Sequence, residues 1–174
     1  MRQLKVDLAE LLLAFDSSDT LEMTWYLNLQ TGEVMVVSDE IRRVLMDVYK
    51  ELNQRGVDSI IDFPTAIQGF PEQVWVKEAL IEADQVEKGL GQTFLTVPHD
   101  PSGETWEDMQ DFAATIANNR LRNDLGEVLE GPKPFRRFKD LLDRHPVERE
   151  AWFKFKNERL RKRVVAWLNE EDIE

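Results

Sequence analysis

The chain has no cysteine among its 174 residues and only two histidines. Without cysteine it can form no disulfide, no thiolate-ligated metal site and no thiol nucleophile. Long hydrophobic runs are also missing, because no stretch approaches the roughly 18 apolar residues that span a bilayer. Asp7 and Glu10 interrupt the apolar N-terminal stretch, which favours a helix over a signal peptide. We therefore expect a soluble, cytoplasmic protein without membrane contact.

Positive charge is scarce and unevenly distributed. The chain has 22 Lys and Arg against 34 Asp and Glu, a net charge of −12. Residues 131–174 hold 12 of these cations and only 9 of the acids, so this segment is basic in an acidic chain. A net field of this sign repels a polyanion. Nucleic acid could therefore bind only through the C-terminal segment.

Composition and local patterns predict a single α+β domain over residues 1–174. Hydrophobic residues make up 42% of the chain, enough for a packed core. Residues 24–29 and 33–37 are β-rich runs around a glycine turn and predict a hairpin, and residues 59–63 and 92–97 predict further short strands. In the rest of the chain the apolar residues recur mostly at helical spacing. We expect a few short, mostly antiparallel strands and about six helices.

The basic C-terminal segment, residues 131–174, predicts two amphipathic helices. The second is long and begins near Pro146. At helical spacing Phe153, Leu160, Val164 and Trp167 share one stripe, which we expect to face the core. The cationic and aromatic side chains outside this stripe form what we call the aromatic-basic face: Arg136, Arg137, Trp152, Phe155, Lys156, Arg159 and Arg163.

The aromatic-basic face is the strongest candidate for a binding surface. Its aromatics could instead complete the core while its cations pair with the chain's own acidic helices. The leading hypothesis is a non-enzymatic interaction or regulatory protein, with a protein partner favoured over nucleic acid. Reversing the charge of Arg159 and Arg163 is then expected to leave folding intact and abolish the contact.

An acidic helix face offers an alternative from another class of protein. Glu104, Glu107, Asp108 and Asp111 recur at helical spacing, and oxygen ligands of this kind can hold Mg²⁺ or Ca²⁺. The simpler interpretation is that they form the solvated side of an amphipathic helix. An enzyme with a carboxylate-metal site therefore stays an alternative, and we predict no catalytic residue, metal or cofactor.

Five segments carry a resemblance to a known family: YLNLQTGEV at 26–34, the predicted strand that ends at Pro98, EDMQDF at 107–112, FRRFKDLL at 135–142 and WFKFKNERLRKRVVAWL at 152–168. Together they resemble uncharacterised protein family 158, small bacterial proteins of unknown function. The resemblance implies an intact fold and a bacterial origin, and it brings no activity, cofactor or catalytic residue. The GPKP at 131–134 replaces the Gly-Arg-Gly-like entry expected before FRRFKD, which implies a stiffer turn.

Overall fold

The structure is a computed structural model that describes residues 3–17, 22–57, 62–99 and 102–174. Backbone packing divides the chain into an N-terminal unit, Met1–Pro98 with Ile173–Glu174, and a C-terminal unit, His99–Asp172. The predicted α+β class and the small antiparallel sheet are confirmed. The assignment of 1–174 to one domain stays a prediction. No helix in the described ranges is both long and apolar enough to cross a bilayer.

Eight α-helices and three strands occur in the described ranges, slightly more helices than the six or so expected. One of the additional helices has only four residues, too short to show periodicity. In chain order the elements are α1 Leu8–Phe15, β1 Met23–Asn28, β2 Val34–Ser38, α2 Asp39–Gln54, α3 Phe63–Ala66, α4 Val74–Gly89, β3 Phe94–Thr96, α5 Ser102–Thr115, α6 Asn119–Glu130, α7 Pro134–Leu142 and α8 Pro146–Glu170.

The N-terminal unit is built on the predicted hairpin. β1 pairs antiparallel with β2 on one side and with β3 on the other, so the strand order is β2-β1-β3. Ser38 ends β2 and caps α2, because its hydroxyl accepts from the Ile41 N–H at 3.2 Å. One face of the sheet, including Tyr26, Val37 and Phe94, packs against buried residues of α2 and α4.

The strand predicted at residues 59–63 falls mostly outside the described residues. Its last residue, Phe63, is described and begins α3. The side chain of Asp62 caps this helix by accepting from the N–H of Thr65, and a proline occupies the first turn. At this end of the segment the capping residue therefore outweighs the strand-like composition.

The C-terminal unit contains α5, α6, α7 and α8, and their apolar faces share one core. Leu160 and Val164 of the predicted α8 stripe are buried as expected. The prediction for Phe153 is wrong, since this side chain is 44% exposed, and the buried residue near the start of α8 is Trp152. A helix of 25 residues meets different neighbours along its length, so a single stripe does not describe it.

Candidate interaction site

The aromatic side chains of the C-terminal unit form one cluster. The ring centroid of Trp152 lies 5.3 Å from that of Phe112 and 5.1 Å from that of Phe138, both in edge-to-face arrangements. Only 2% of Trp152 is exposed. Phe155 is half-buried and stacks on Trp152 with centroids 6.2 Å apart. The assignment of Trp152 to an accessible binding face is therefore wrong, and the alternative, in which the aromatics complete the core, holds for this side chain.

The acidic side of α5 contacts guanidinium groups of α8. Arg163 donates to Asp108 Oδ2 at 2.6 Å, and its Nε lies 2.6 Å from Glu104 Oε2. Arg159 donates to Asp111 Oδ2 at 2.7 Å. These five residues, which we call the ion-pair cluster, join two helices that are distant in sequence.

Asp108 is the buried centre of the ion-pair cluster. It is 2% exposed, and its second oxygen lies 4.0 Å from Arg159 Nε. A buried carboxylate stays charged at acceptable cost only when cations compensate it. The expectation of a solvated acidic face therefore holds for Glu107, which is exposed, but is wrong for Asp108. Reversing Arg159 and Arg163 would place like charges beside Asp108, so intact folding is no longer the expected result.

The ion-pair cluster also bears on the carboxylate-metal alternative. In the part of the chain that the structure describes, no three His, Asp or Glu residues are grouped to hold a metal ion. The carboxylates of Asp108 and Asp111 accept from arginines. Guanidinium groups thus occupy the positions that a cation would need. This geometry gives no support to a metal site around Glu107 and Asp111.

A small open groove, which we call the cationic groove, lies on the C-terminal unit where α7 passes α6. It encloses about 260 Å³ and is lined by Val128, Arg137, Asp140, Leu141 and Arg144. Both arginines are exposed. Within the described ranges neither arginine side chain has an ion-pair or hydrogen-bond partner. The groove therefore combines two apolar side chains with two guanidinium groups that form no ion pair in these ranges, and with the carboxylate of Asp140, which lies near Arg136.

The remaining residues of the aromatic-basic face differ in accessibility. The Arg136 side chain is 80% exposed, and its Nε lies 3.8 Å from Asp140 Oδ2. Lys156 is half-buried and has an interaction partner. Of the seven predicted residues, Arg136 and Arg137 are the exposed ones. Their role in binding a partner stays a prediction.

Sequence reasoning missed a second polar cluster, in the N-terminal unit. The hydroxyl of Tyr49 in α2 donates to Asp84 Oδ1 at 2.6 Å, and Lys88 Nζ lies 2.8 Å from the same oxygen. Burial and then the hydrogen bond to Asp84 raise the pKa of Tyr49 above its ordinary value. The i,i+4 spacing of Asp84 and Lys88 on α4 was visible in the sequence. The contribution of Tyr49 depends on the packing of α2 against α4, which no local pattern reports.

The fold and these sites define a small α+β protein in which charged residues of α5 and α8 join the two helices. The chain belongs to the uncharacterised protein family UPF0158, because the family's sequence profile matches residues 66–174. It is 27% identical over 174 residues to the UPF0158 protein PA5073 of Pseudomonas aeruginosa, covering 100% of this chain and 88% of that relative. No solved structure matches it. The predicted family is confirmed, and the family has no named function.

Proposed function

We propose that this is a non-enzymatic interaction or regulatory protein of the cytoplasm, and that its cationic groove binds an acidic segment of a partner protein. The observation that carries the proposal is that two guanidinium groups, Arg137 and Arg144, line one groove and form no ion pair among the described residues. Arginine forms planar, bidentate, charge-assisted hydrogen bonds with carboxylates. Two such groups at one groove favour a ligand with more than one carboxylate.

The apolar residues of the groove also limit which peptide side chain can bind there. Val128 and Leu141 line the groove together with the two arginines, so an apolar side chain flanked by acidic residues fits best. The volume of about 260 Å³ suits one or two side chains and lies below the range of about 300 to 1,000 Å³ typical of small-molecule pockets. These properties support recognition of a short peptide motif over turnover of a metabolite.

The proposed binding surface includes only part of the aromatic-basic face and is centred on the cationic groove. Arg136 and Arg137 remain, Arg144 joins them, and Trp152 is left out because it is buried. Nucleic acid is a weaker candidate. The C-terminal unit has 14 Lys and Arg against 16 Asp and Glu, which gives a polyanion little net attraction.

A labelled acidic peptide tests the groove directly. The probe is a fluorescein-labelled peptide of alternating glutamate and leucine, and binding is followed by fluorescence anisotropy. Arg137→Glu with Arg144→Glu should weaken binding about 100-fold, because two charge-assisted contacts become repulsions. The matched control is Lys154→Glu with Arg161→Glu, the same charge change at exposed positions of α8. The control should bind within about threefold of the natural protein.

Equal losses in both double variants would contradict the proposal, since the probe would then sense only net charge. Capture of partners from bacterial lysate, with and without nuclease, extends the test. Proteins that survive nuclease and are absent with the groove variant support an interaction protein. Enrichment that disappears with nuclease would favour nucleic acid instead.

A further inference from the structure

The two edges of the small sheet differ in how well they are covered. β3 forms one edge and has only three residues. Its Phe94 carbonyl accepts from the Gly91 N–H at 2.9 Å, and Phe94 also forms a bridge with Leu90. The chain then reaches Pro98, which cannot donate to a further strand. This edge therefore has few backbone groups available to pair with another chain.

β2 forms the other edge, and among the described residues its outward backbone groups have no hydrogen-bond partner. At one end of the β1–β2 pair the Asn28 N–H donates to the Glu33 carbonyl at 2.9 Å. Residue pairs in an antiparallel ladder alternate between hydrogen-bonded and non-hydrogen-bonded positions. The N–H and C=O groups of Met35 and Val37 therefore point toward β1, whereas those of Val34 and Val36 point outward. No strand pairs with this outer side in the described ranges. Val36 is 42% exposed.

The composition of β2 lacks the usual protection of an edge strand. Exposed edges normally carry lysine, proline or a bulge, which discourage pairing with other chains. Val34–Ser38 contains no charged residue, proline or glycine. Its register with β1 is continuous over Met23↔Ser38 to Leu27↔Val34, without a bulge. The strand is therefore competent to accept a further strand.

We propose that β2 accepts an extended, basic segment of a partner protein as a fourth strand, independently of the cationic groove. The choice of a basic occupant rests on charge. The N-terminal unit has 8 Lys and Arg against 18 Asp and Glu, a net charge of −10. Glu33 precedes β2 and Glu40 follows it closely, and both are exposed.

The outward backbone groups of β2 determine how such a segment is recognised. The N–H and C=O groups of Val34 and Val36 supply four backbone hydrogen bonds to the incoming strand. These bonds are independent of sequence. Selectivity comes from apolar side chains beside Val36 and from cationic residues at the ends, near Glu33 and Glu40. A second copy of this acidic chain is disfavoured by like charge.

The test uses the full-length protein and a synthetic peptide, acetyl-Lys-Arg-Val-Thr-Val-Lys-Arg-amide. Amide hydrogen exchange by NMR measures protection along β2. The peptide should slow exchange at the amides of Val34 and Val36 at least about tenfold, whereas those of Met35 and Val37, already bonded to β1, should change little. An acidic twin with glutamate at the four cationic positions should bind at least about tenfold more weakly.

Two controls separate strand addition from general attraction. A peptide N-methylated at its two inward-facing amides keeps its charge but cannot complete the hydrogen bonds, and it should bind at least about tenfold more weakly. On the protein, Val36→Lys should weaken binding, whereas Val36→Thr should preserve it. The proposal is overturned if the methylated peptide or the acidic twin binds equally well, or if no peptide binds. It is also overturned if both amides are protected in free protein in a concentration-dependent way, because a second copy would then occupy the edge.

Discussion

Replacing Arg163 by methionine should destabilise the C-terminal unit by about 3 kcal/mol. Arg163 Nη2 lies 2.6 Å from Asp108 Oδ2, and Asp108 is almost fully buried. In the variant this carboxylate would stay buried, and Arg159, at 4.0 Å, would be the one cation left beside it among the described residues. Breaking a buried ion pair costs about 3 to 5 kcal/mol, and the remaining arginine places the expected value at the lower end. Methionine keeps the apolar stem, so little packing is lost.

The assay is hydrogen exchange of the α5 and α8 amides, with urea unfolding of the whole protein beside it. Exchange reports the local free energy of opening, which separates the C-terminal unit from the rest of the chain. Lys162→Met is the matched control, since Lys162 is exposed on the same helix and loses the same charge. We expect it to change stability by no more than about 0.5 kcal/mol.

A double variant distinguishes an unpaired charge from lost packing. Asp108→Leu with Arg163→Met replaces both partners by apolar groups and should recover most of the stability lost in Arg163→Met, because no charge stays buried. If Arg163→Met behaves like Lys162→Met, the reasoning about a buried ion pair is refuted. If the double variant is as unstable as Arg163→Met, packing explains the loss.

Three further predictions address other parts of the chain. Phe138→Ala should cost about 3 to 5 kcal/mol in urea unfolding because the ring is fully buried, whereas Phe153→Ala should cost less than about 1 kcal/mol; equal costs would contradict the assigned core. Gly32 and Gly91 both have positive φ, but only at Gly32 would a Cβ overlap a backbone carbonyl. Gly32→Ala should therefore lower the melting temperature clearly more than Gly91→Ala, whose strain costs about 1 to 2 kcal/mol, and equal shifts would argue against that close approach. The raised pKa of Tyr49 favours the neutral phenol in the folded state, so its stabilising contribution should be complete below about pH 10 and decline as the pH rises above that value. Urea midpoints measured against pH should show a smaller alkaline decline for Tyr49→Phe than for the natural protein, and identical declines would contradict the assignment.

Local patterns predicted the elements whose signals lie close together in the chain. The hairpin around Gly32 appears where the two β-rich runs and the glycine turn indicated it. The strand order β2-β1-β3 was not predicted, because β3 pairs with a strand more than sixty residues earlier. Pairings of this kind leave little trace in a single sequence.

The candidate site shows where local reasoning fails. Helical spacing correctly grouped the acids of α5 and the cations of α8, but it gave no information that the two sets face each other. It also left open whether Trp152 lies on a binding face or in the core, and the packing of Trp152 against Phe112 and Phe138 places it in the core. The same helical spacing is compatible with a face that contacts solvent, a partner protein or another helix. Only the packing of α5 against α8 shows which of these contacts is formed.

The sequence by itself determined the α+β class, the family and the separation of charge between the two ends of the chain. These properties follow from composition, short-range periodicity and motifs, which a linear chain carries in full. The tertiary structure alone decided which charges are compensated, which aromatic rings are buried and which strand edge is left open. Each of these depends on contacts between residues distant in sequence, and burial then changes the energy of a charge or a backbone group by several kcal/mol.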